Sequence, residues 1–166
     1  RTGEGIAWGE HHHRLFCGSE ALFRPGYKAS LVADWISAMP GVEEKLQAGA
    51  KIADVGCGHG ASSILLAKAF PNSMVYGFDL HEHSIETARL RAREAECGDN
   101  IKFVVASAKD YDVGDFDLIC FMDCLHDMGD PVGAAHHARQ ALNLAGDSLL
   151  ADPAPSENLQ EGRTPL

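Results

Sequence analysis

The sequence predicts a parallel, doubly wound α/β sheet, and three observations predict it. Short strand-like runs alternate with helical patterns five times along residues 50–152. Such alternation specifies parallel strands joined by right-handed crossovers. The run Phe116–Met122 is apolar at nearly every position, as a central strand covered on both faces should be. A glycine-rich segment, Gly56-Cys57-Gly58-His59-Gly60, stands between the first strand-like run and the helix after it. In open parallel sheets that is where a ligand crevice forms.

Taken in order, residues 1–27 are glycine-rich and aromatic, without clean periodicity, and read as a lid or linker. Residues 28–49 read as a helical segment packed on the core. In it a helix over about Lys28–Met39 carries Leu31, Val32, Trp35 and Met39 on one face, and Pro40-Gly41 stops it. A short second helix carries Val42 and Leu46. The core follows over residues 50–152. It opens with a strand at Lys51–Val55, the glycine turn, and a helix from Ala61 to Phe70 that Pro71-Asn72 ends. A strand at Met74–Phe78 precedes a helix over about Ser84–Glu96, where Ile85, Ala88, Ala92 and Ala95 fall at helical spacing. Strands at Ile101–Ala106 and Phe116–Met122 come next. Asp130-Pro131 is a helix start, an N-cap acid before a proline at the first helical position. That helix is expected to reach about Leu144 and stop at Gly146, before a last strand at Leu149–Ala151. Residues 153–166 read as a truncated or irregular tail.

Composition narrows the function classes. A formal charge of −10 argues against a nucleic-acid backbone as the main partner, because that binding rests on Lys and Arg neutralising phosphates. No apolar run approaches the roughly 18–20 residues of a membrane span, so no membrane partner is expected. Five scattered cysteines, Cys17, Cys57, Cys97, Cys120 and Cys124, without a CxxC pair, fit free thiols in a reducing cytosol. A cytoplasmic protein is therefore expected. The consecutive His11, His12 and His13 with Glu10, and the pairs His81/His83 and His136/His137, lack the separated placement that convergent metal ligands need. No metal site is expected.

The glycine turn carries the chemistry. Glycines let the backbone turn sharply and approach a ligand without a Cβ in the way. The helix behind them presents unpaired N–H groups and a positive dipole end. Asp79 ends the second strand, where a carboxylate can accept from both hydroxyls of a ribose. Gly56, Gly58 and Ala61 also satisfy the dinucleotide pattern G-x-G-x-x-G/A, with Asp79 near the separation used for NAD ribose. An NAD(P)-linked oxidoreductase is therefore an alternative.

Asp54-x-Gly56-x-Gly58-x-Gly60 resembles the first motif of class I S-adenosylmethionine (SAM)-dependent methyltransferases. Val75–Asp79 resembles their second motif, and Phe116–Ile119 their fourth-strand motif, continuing through Leu125-His126 into the Asp130-Pro131 helix. Within that superfamily the chain is most similar to bacterial enzymes with an N-terminal winged-helix domain, a domain this sequence does not contain. The resemblance implies a Rossmann-like sheet of order 3-2-1-4-5, without the last two strands of the usual seven. A five-stranded chain alone is expected to be marginally stable or aggregation-prone.

The resemblance also implies SAM as cofactor, S-adenosylhomocysteine as product and a small-molecule acceptor. It implies a homodimer formed through the missing domain. Gly56, Gly58 and Gly60 would pack against the methionine portion of SAM, and Asp54 would orient its amino group. Asp79 would hold the ribose, and Leu80 would cover the adenine. Ser107 and Ala108 would lie at the adenine edge, with serine where the family often has an acid. Asp123 would lie beside the methionine end or the transferred methyl. Leu125-His126-Asp127 resembles the segment of plant-type O-methyltransferases whose histidine is the catalytic base, which makes His126 the candidate base; Asp127 either orients its ring or caps a turn. Trp8, Phe16, Phe23 and Tyr27 are candidates for a lid or an acceptor pocket. Methylation of oxygen is favoured over nitrogen or carbon, and a SAM-binding regulatory module without turnover is a further alternative.

Overall fold

The computed structural model describes Ile6 and residues 8–153. The expected tail lies outside the described residues except for Pro153. Five strands, β1 (Lys51–Val55), β2 (Met74–Asp79), β3 (Ile101–Val105), β4 (Phe116–Met122) and β5 (Leu142–Ala151), form one sheet of order β3-β2-β1-β4-β5. Every pairing is parallel, with Asp54 opposite Gly77 on one side and Cys120 on the other. The Rossmann-like order expected from the sequence is the order observed.

Six helical elements support the sheet: α1 (His13–Ser30), a π-helical stretch (Leu31–Ile36), α2 (Val42–Ala48), α3 (Ala61–Ala69), α4 (Glu82–Glu94) and α5 (Pro131–Ala141). Alternation along the central strands sorts the core onto two faces. Ile52, Val75, Leu118, Cys120 and Met122 meet Leu31, Ile36, Leu46, Leu66 and Phe70 on one face. Ala53, Val55, Phe78, Ile119 and Phe121 meet Ala134, Ala138 and Ala141 of α5 on the other. Phe103 of β3 packs with Ile85, Ala88 and Ala92 of α4. Its ring lies over Gly77 and Gly60, where an added Cβ would stand 2.5 and 2.7 Å from it.

Two expectations are corrected. The first long helix begins at His13 rather than near Lys28, so the division expected at 27/28 falls inside one helical run. Its buried face repeats as Phe16, Glu20, Phe23, Tyr27 and Leu31, a helical spacing that Gly18, Pro25 and Gly26 hide when the segment is read by propensity. Second, α5 ends at Ala141 and β5 begins at Leu142, well before Leu149. Phe116 pairs with Leu142 but Leu118 with Asp147, so the chain bulges over 143–146. Side chains hold the bulge in place of a ladder: Asn143 donates to Asp117 at 2.7 Å, and Lys45 donates to the Ala145 carbonyl at 2.6 Å. Gly146 sits within the bulge, where a Cβ would stand 2.6 Å from the Phe116 carbonyl oxygen.

Candidate functional site at the carboxyl ends of the strands

The glycine turn is pinned to the end of β2. The Gly56 and Cys57 N–H groups both donate to the Phe78 carbonyl, at 2.8 and 3.0 Å. The Gly58 N–H donates to Asp79 Oδ2 at 2.9 Å, and the His81 N–H to Asp79 Oδ1 at 2.8 Å. Each carboxylate oxygen so engaged keeps lone pairs free for further donors.

The three glycines adopt positive φ, of 75°, 50° and 78°, but differ in surroundings. A Cβ on Gly56 would meet Cys124 Sγ at 2.8 Å, and one on Gly60 would meet the Phe103 ring. Both positions are therefore closed by packing. A Cβ on Gly58 would meet no atom within 4 Å. Gly58 is the one that faces open space, directly beside Asp79. The helix behind the turn, α3, has Gly60 as its N-cap and so lacks a side-chain cap.

Asp54 is fully buried. Its Oδ2 accepts from the Ser62 and Ser63 hydroxyls at 2.6 and 2.5 Å, while its Oδ1 has no partner among the described residues. Burial pushes its pKa up against the pull of the two serines, and the nearby Asp79 charge adds to the rise. Sequence reasoning did not single out these serines. Their signal is position, the first turn of the helix after the glycines.

Asp123 directly follows β4 with φ of 50°, a left-handed conformation that aspartate tolerates better than most residues. Its N–H donates to the Ala151 carbonyl at 2.6 Å, and its carboxylate accepts the Tyr27 hydroxyl at 2.8 Å. Burial raises its pKa, which the Tyr27 hydrogen bond opposes. Burial likewise raises that of the Tyr27 phenol, reinforced by Asp123. Cys124 and Cys57 are thiols shifted upward by burial, without thiolate character, and all five cysteines are free.

Leu80, next to Asp79, is 74% exposed, which leaves its apolar side chain accessible beside the β2 end. Ser107 and Ala108 follow β3, whose next residue, Ala106, donates its N–H to the Asp79 carbonyl at 3.0 Å. The Ser107 hydroxyl accepts from the Lys109 N–H at 3.2 Å and closes the turn.

Helix α1 runs along the strand ends. Phe16 lies on His81 with ring centroids 4.6 Å apart, Trp8 packs edge-on against Phe16 at 5.2 Å, and Phe23 stacks with Tyr27 at 6.3 Å. The four aromatic candidates thus belong to one structural feature spanning the ends of β2 and β4.

His126 occupies a 3-10 turn, Leu125–Asp127, after β4. Its principal partner is not Asp127, whose Oδ2 stands 3.5 Å from Nε2, but Asp152, whose Oδ1 lies 2.8 Å from Nδ1. The Asp152 hydrogen bond raises the imidazole pKa; partial burial opposes this, and the Asp127 charge adds to it. Asp152 was not read from the sequence, since it lies 26 residues away and only the return of β5 brings it back.

Two hollows of about 630 and 400 Å³ lie at the opposite end of the sheet, around the loop Cys97-Gly98-Asp99. They border neither the glycine turn nor His126. In parallel sheets the ligand crevice lies at the carboxyl ends of the strands, so the strand-end cluster is the candidate site.

Residues 46–164 match the family model described as a methyltransferase domain. The chain is 29% identical over 155 residues to 27-O-demethylrifamycin SV methyltransferase of Amycolatopsis mediterranei, covering 90% of this chain and 55% of that protein. It is 30% identical over 133 residues to the ubiquinone biosynthesis O-methyltransferase of Aromatoleum aromaticum, covering 78% of this chain and 53% of that protein. The chain thus spans about half the length of the curated relatives it matches. Its fold is similar to that of magnesium protoporphyrin IX methyltransferase from Synechocystis PCC 6803 with bound SAM. That likeness has a TM-score of 0.60 and 23% identity, over 85% of this chain and 62% of that one. The chain belongs to the methyltransferase-domain family, class I enzymes whose cofactor is S-adenosylmethionine.

Proposed function

We propose that the chain transfers a methyl group from SAM to a hydroxyl of a small molecule, with His126 as general base and Asp152 as the group that orients it. The observation that carries the oxygen assignment is the Nδ1···Oδ1 contact of 2.8 Å between His126 and Asp152. A carboxylate at 2.8 Å favours N–H on Nδ1 and leaves Nε2, from which Asp127 Oδ2 stands off at 3.5 Å, as the acceptor of a proton. An oxygen nucleophile needs such an acceptor, because a neutral hydroxyl gives up its proton as the new bond forms.

The remaining residues fit the cofactor. Asp54 Oδ1 is a buried acceptor with no partner among the described residues, a state that costs free energy until a donor arrives; an ammonium group would answer it. Asp79 keeps lone pairs for ribose hydroxyls, Gly58 leaves room beside it, and exposed Leu80 offers an apolar face to a purine. Bound there, SAM supplies a methyl already activated by its sulfonium charge. The protein's part is to align the acceptor, exclude water and take one proton at His126 Nε2. Asp123 and Tyr27, joined by a hydrogen bond at the β4 end, would stand between cofactor and acceptor.

The test separates the two roles. His126→Ala should abolish methyl transfer to a phenolic or enolic acceptor and leave SAM affinity within a few-fold of the parent. Unchanged turnover would remove the base from the mechanism.

A further inference from the structure

The middle of α1 carries a charged residue where its neighbours on the same face are apolar. Glu20 stands between Phe16 and Phe23 on the buried face, and its side chain is 12% exposed. Its carboxylate meets three groups: His59 Nδ1 at 3.2 Å, the Arg91 guanidinium in an ion pair, and Arg24 at 3.7 Å one turn along the helix. His59 is the residue between Gly58 and Gly60, and its side chain is 6% exposed. Arg91 belongs to α4. One carboxylate therefore ties α1, the glycine turn and α4 together.

Such a placement has a cost. A carboxylate taken largely out of water is retained only where charged partners and hydrogen bonds compensate it. Arg91 and His59 outweigh the effect of burial and hold Glu20 below the usual carboxylate range. An apolar residue would complete the Phe16–Phe23–Tyr27 stripe more simply, so packing alone does not account for a glutamate at this position. Its neighbours do: His59 lies in the turn that borders the open space at Gly58.

We propose that Glu20 is a positioning residue for the cofactor site, a latch that fixes the glycine turn through His59 and holds α1 across the strand ends through Arg91. The inference rests on the cofactor reading above. With the latch closed, Phe16 stays on His81 and Tyr27 on Asp123, so α1 spans the crevice from the β2 end to the β4 end. A bound cofactor leaves only when this span opens. Glu20 therefore governs how often this span opens, and with it both the entry and the exit of the cofactor.

The experiment uses the full chain and two substitutions, Glu20→Gln and Arg91→Gln, each also combined with the other. Glu20→Gln keeps the shape and one hydrogen bond but ends the ion pair, and Arg91→Gln removes the cation from the other side. Dissociation of S-adenosylhomocysteine should quicken about tenfold in either variant, as loss of one charge-assisted contact implies, and association should not slow. The double variant should be no worse than either single one, since the partners act as a unit. In the ligand-free chain, amides of residues 16–27 should exchange hydrogen about tenfold faster, while those of β1 and β4 stay as protected as in the parent. If the parent binds S-adenosylhomocysteine and the variants match it in dissociation and exchange, the latch is overturned and the cofactor reading stands. Protection lost equally in β1 and β4 would overturn it as well, reducing Glu20 to a contributor to global stability. If the parent itself binds no S-adenosylhomocysteine, the cofactor reading fails and the latch falls with it.

Discussion

At the scale of single residues, the pairing of His126 with Asp152 has a consequence for pH dependence. A general base works when neutral, and the Asp152 hydrogen bond favours the protonated ring, so the imidazole pKa lies above its ordinary value. The acid limb of kcat against pH should therefore sit above the roughly 6.5 of an unperturbed histidine. Asp152→Asn should move that limb to lower pH and also reduce the plateau, because the ring loses its fixed tautomer. A limb that stays in place would show that another group titrates. The sign for stability is the reverse of that for activity. A raised folded-state pKa contributes stability that is present below the unfolded value and lost as pH rises through the folded one. Since 42% of the imidazole side chain is exposed, solvent screening keeps that contribution small. Asp127, the partner expected from its adjacency, is the weaker contact because neighbours in a tight turn seldom present side chains to each other. The return of the chain at β5 supplies the better-placed carboxylate.

At the scale of elements, legibility in the sequence followed the strength of the local signal. β1, β4, α3 and the start of α5 were readable because apolar runs, glycines and the Asp130-Pro131 cap are written in consecutive residues; Asp130 accepts from the Gly133 N–H at 2.8 Å, as an N-cap should. Helix α1 was not readable, because Pro25 and two glycines lower its propensity, and burial against the strand ends, not propensity, holds it. The same division runs through the site. Asp54, Gly58 and Asp79 belong to contiguous motifs, whereas Glu20, Ser62 and Asp152 matter only through contacts that the fold creates. The end of α5 failed for a different reason. Gly146 looks like a helix stop, but it serves the β5 bulge, where only a residue without a side chain passes the Phe116 carbonyl. Gly146→Val should cost about 1–3 kcal/mol, the usual penalty of forcing atoms into a packed space. Urea unfolding with unchanged slope and a lowered midpoint is the expected outcome; an unmoved midpoint would mean that the bulge opens outward freely.

At the scale of the whole molecule, the sheet and its site are mechanically one object. The β1, β2 and β4 ends that carry Asp54, Asp79 and Asp123 are the same strands whose inner residues form both core faces. Anything that binds at the strand ends therefore draws on the stability of the entire sheet, and through Tyr27 and Glu20 it also engages α1. A ligand that binds only the folded state stabilises it by about 2.7 kcal/mol at a hundredfold excess over its Kd. For a chain of this size each kcal/mol moves the melting temperature by about 2–4 °C. S-adenosylhomocysteine at that excess should thus raise the melting temperature by about 5–10 °C in a single cooperative step. NAD at the same concentration should leave it unmoved. Asp79→Ala removes the carboxylate proposed to hold the ribose and, with it, the anchor of the Gly58 and His81 N–H groups. That variant should melt lower without ligand and show no rise with it. A rise retained in Asp79→Ala would move the binding site away from the β2 end, and a rise with NAD alone would assign the glycine turn to a dinucleotide. Equal rises with both ligands would show that the crevice selects for adenosine alone.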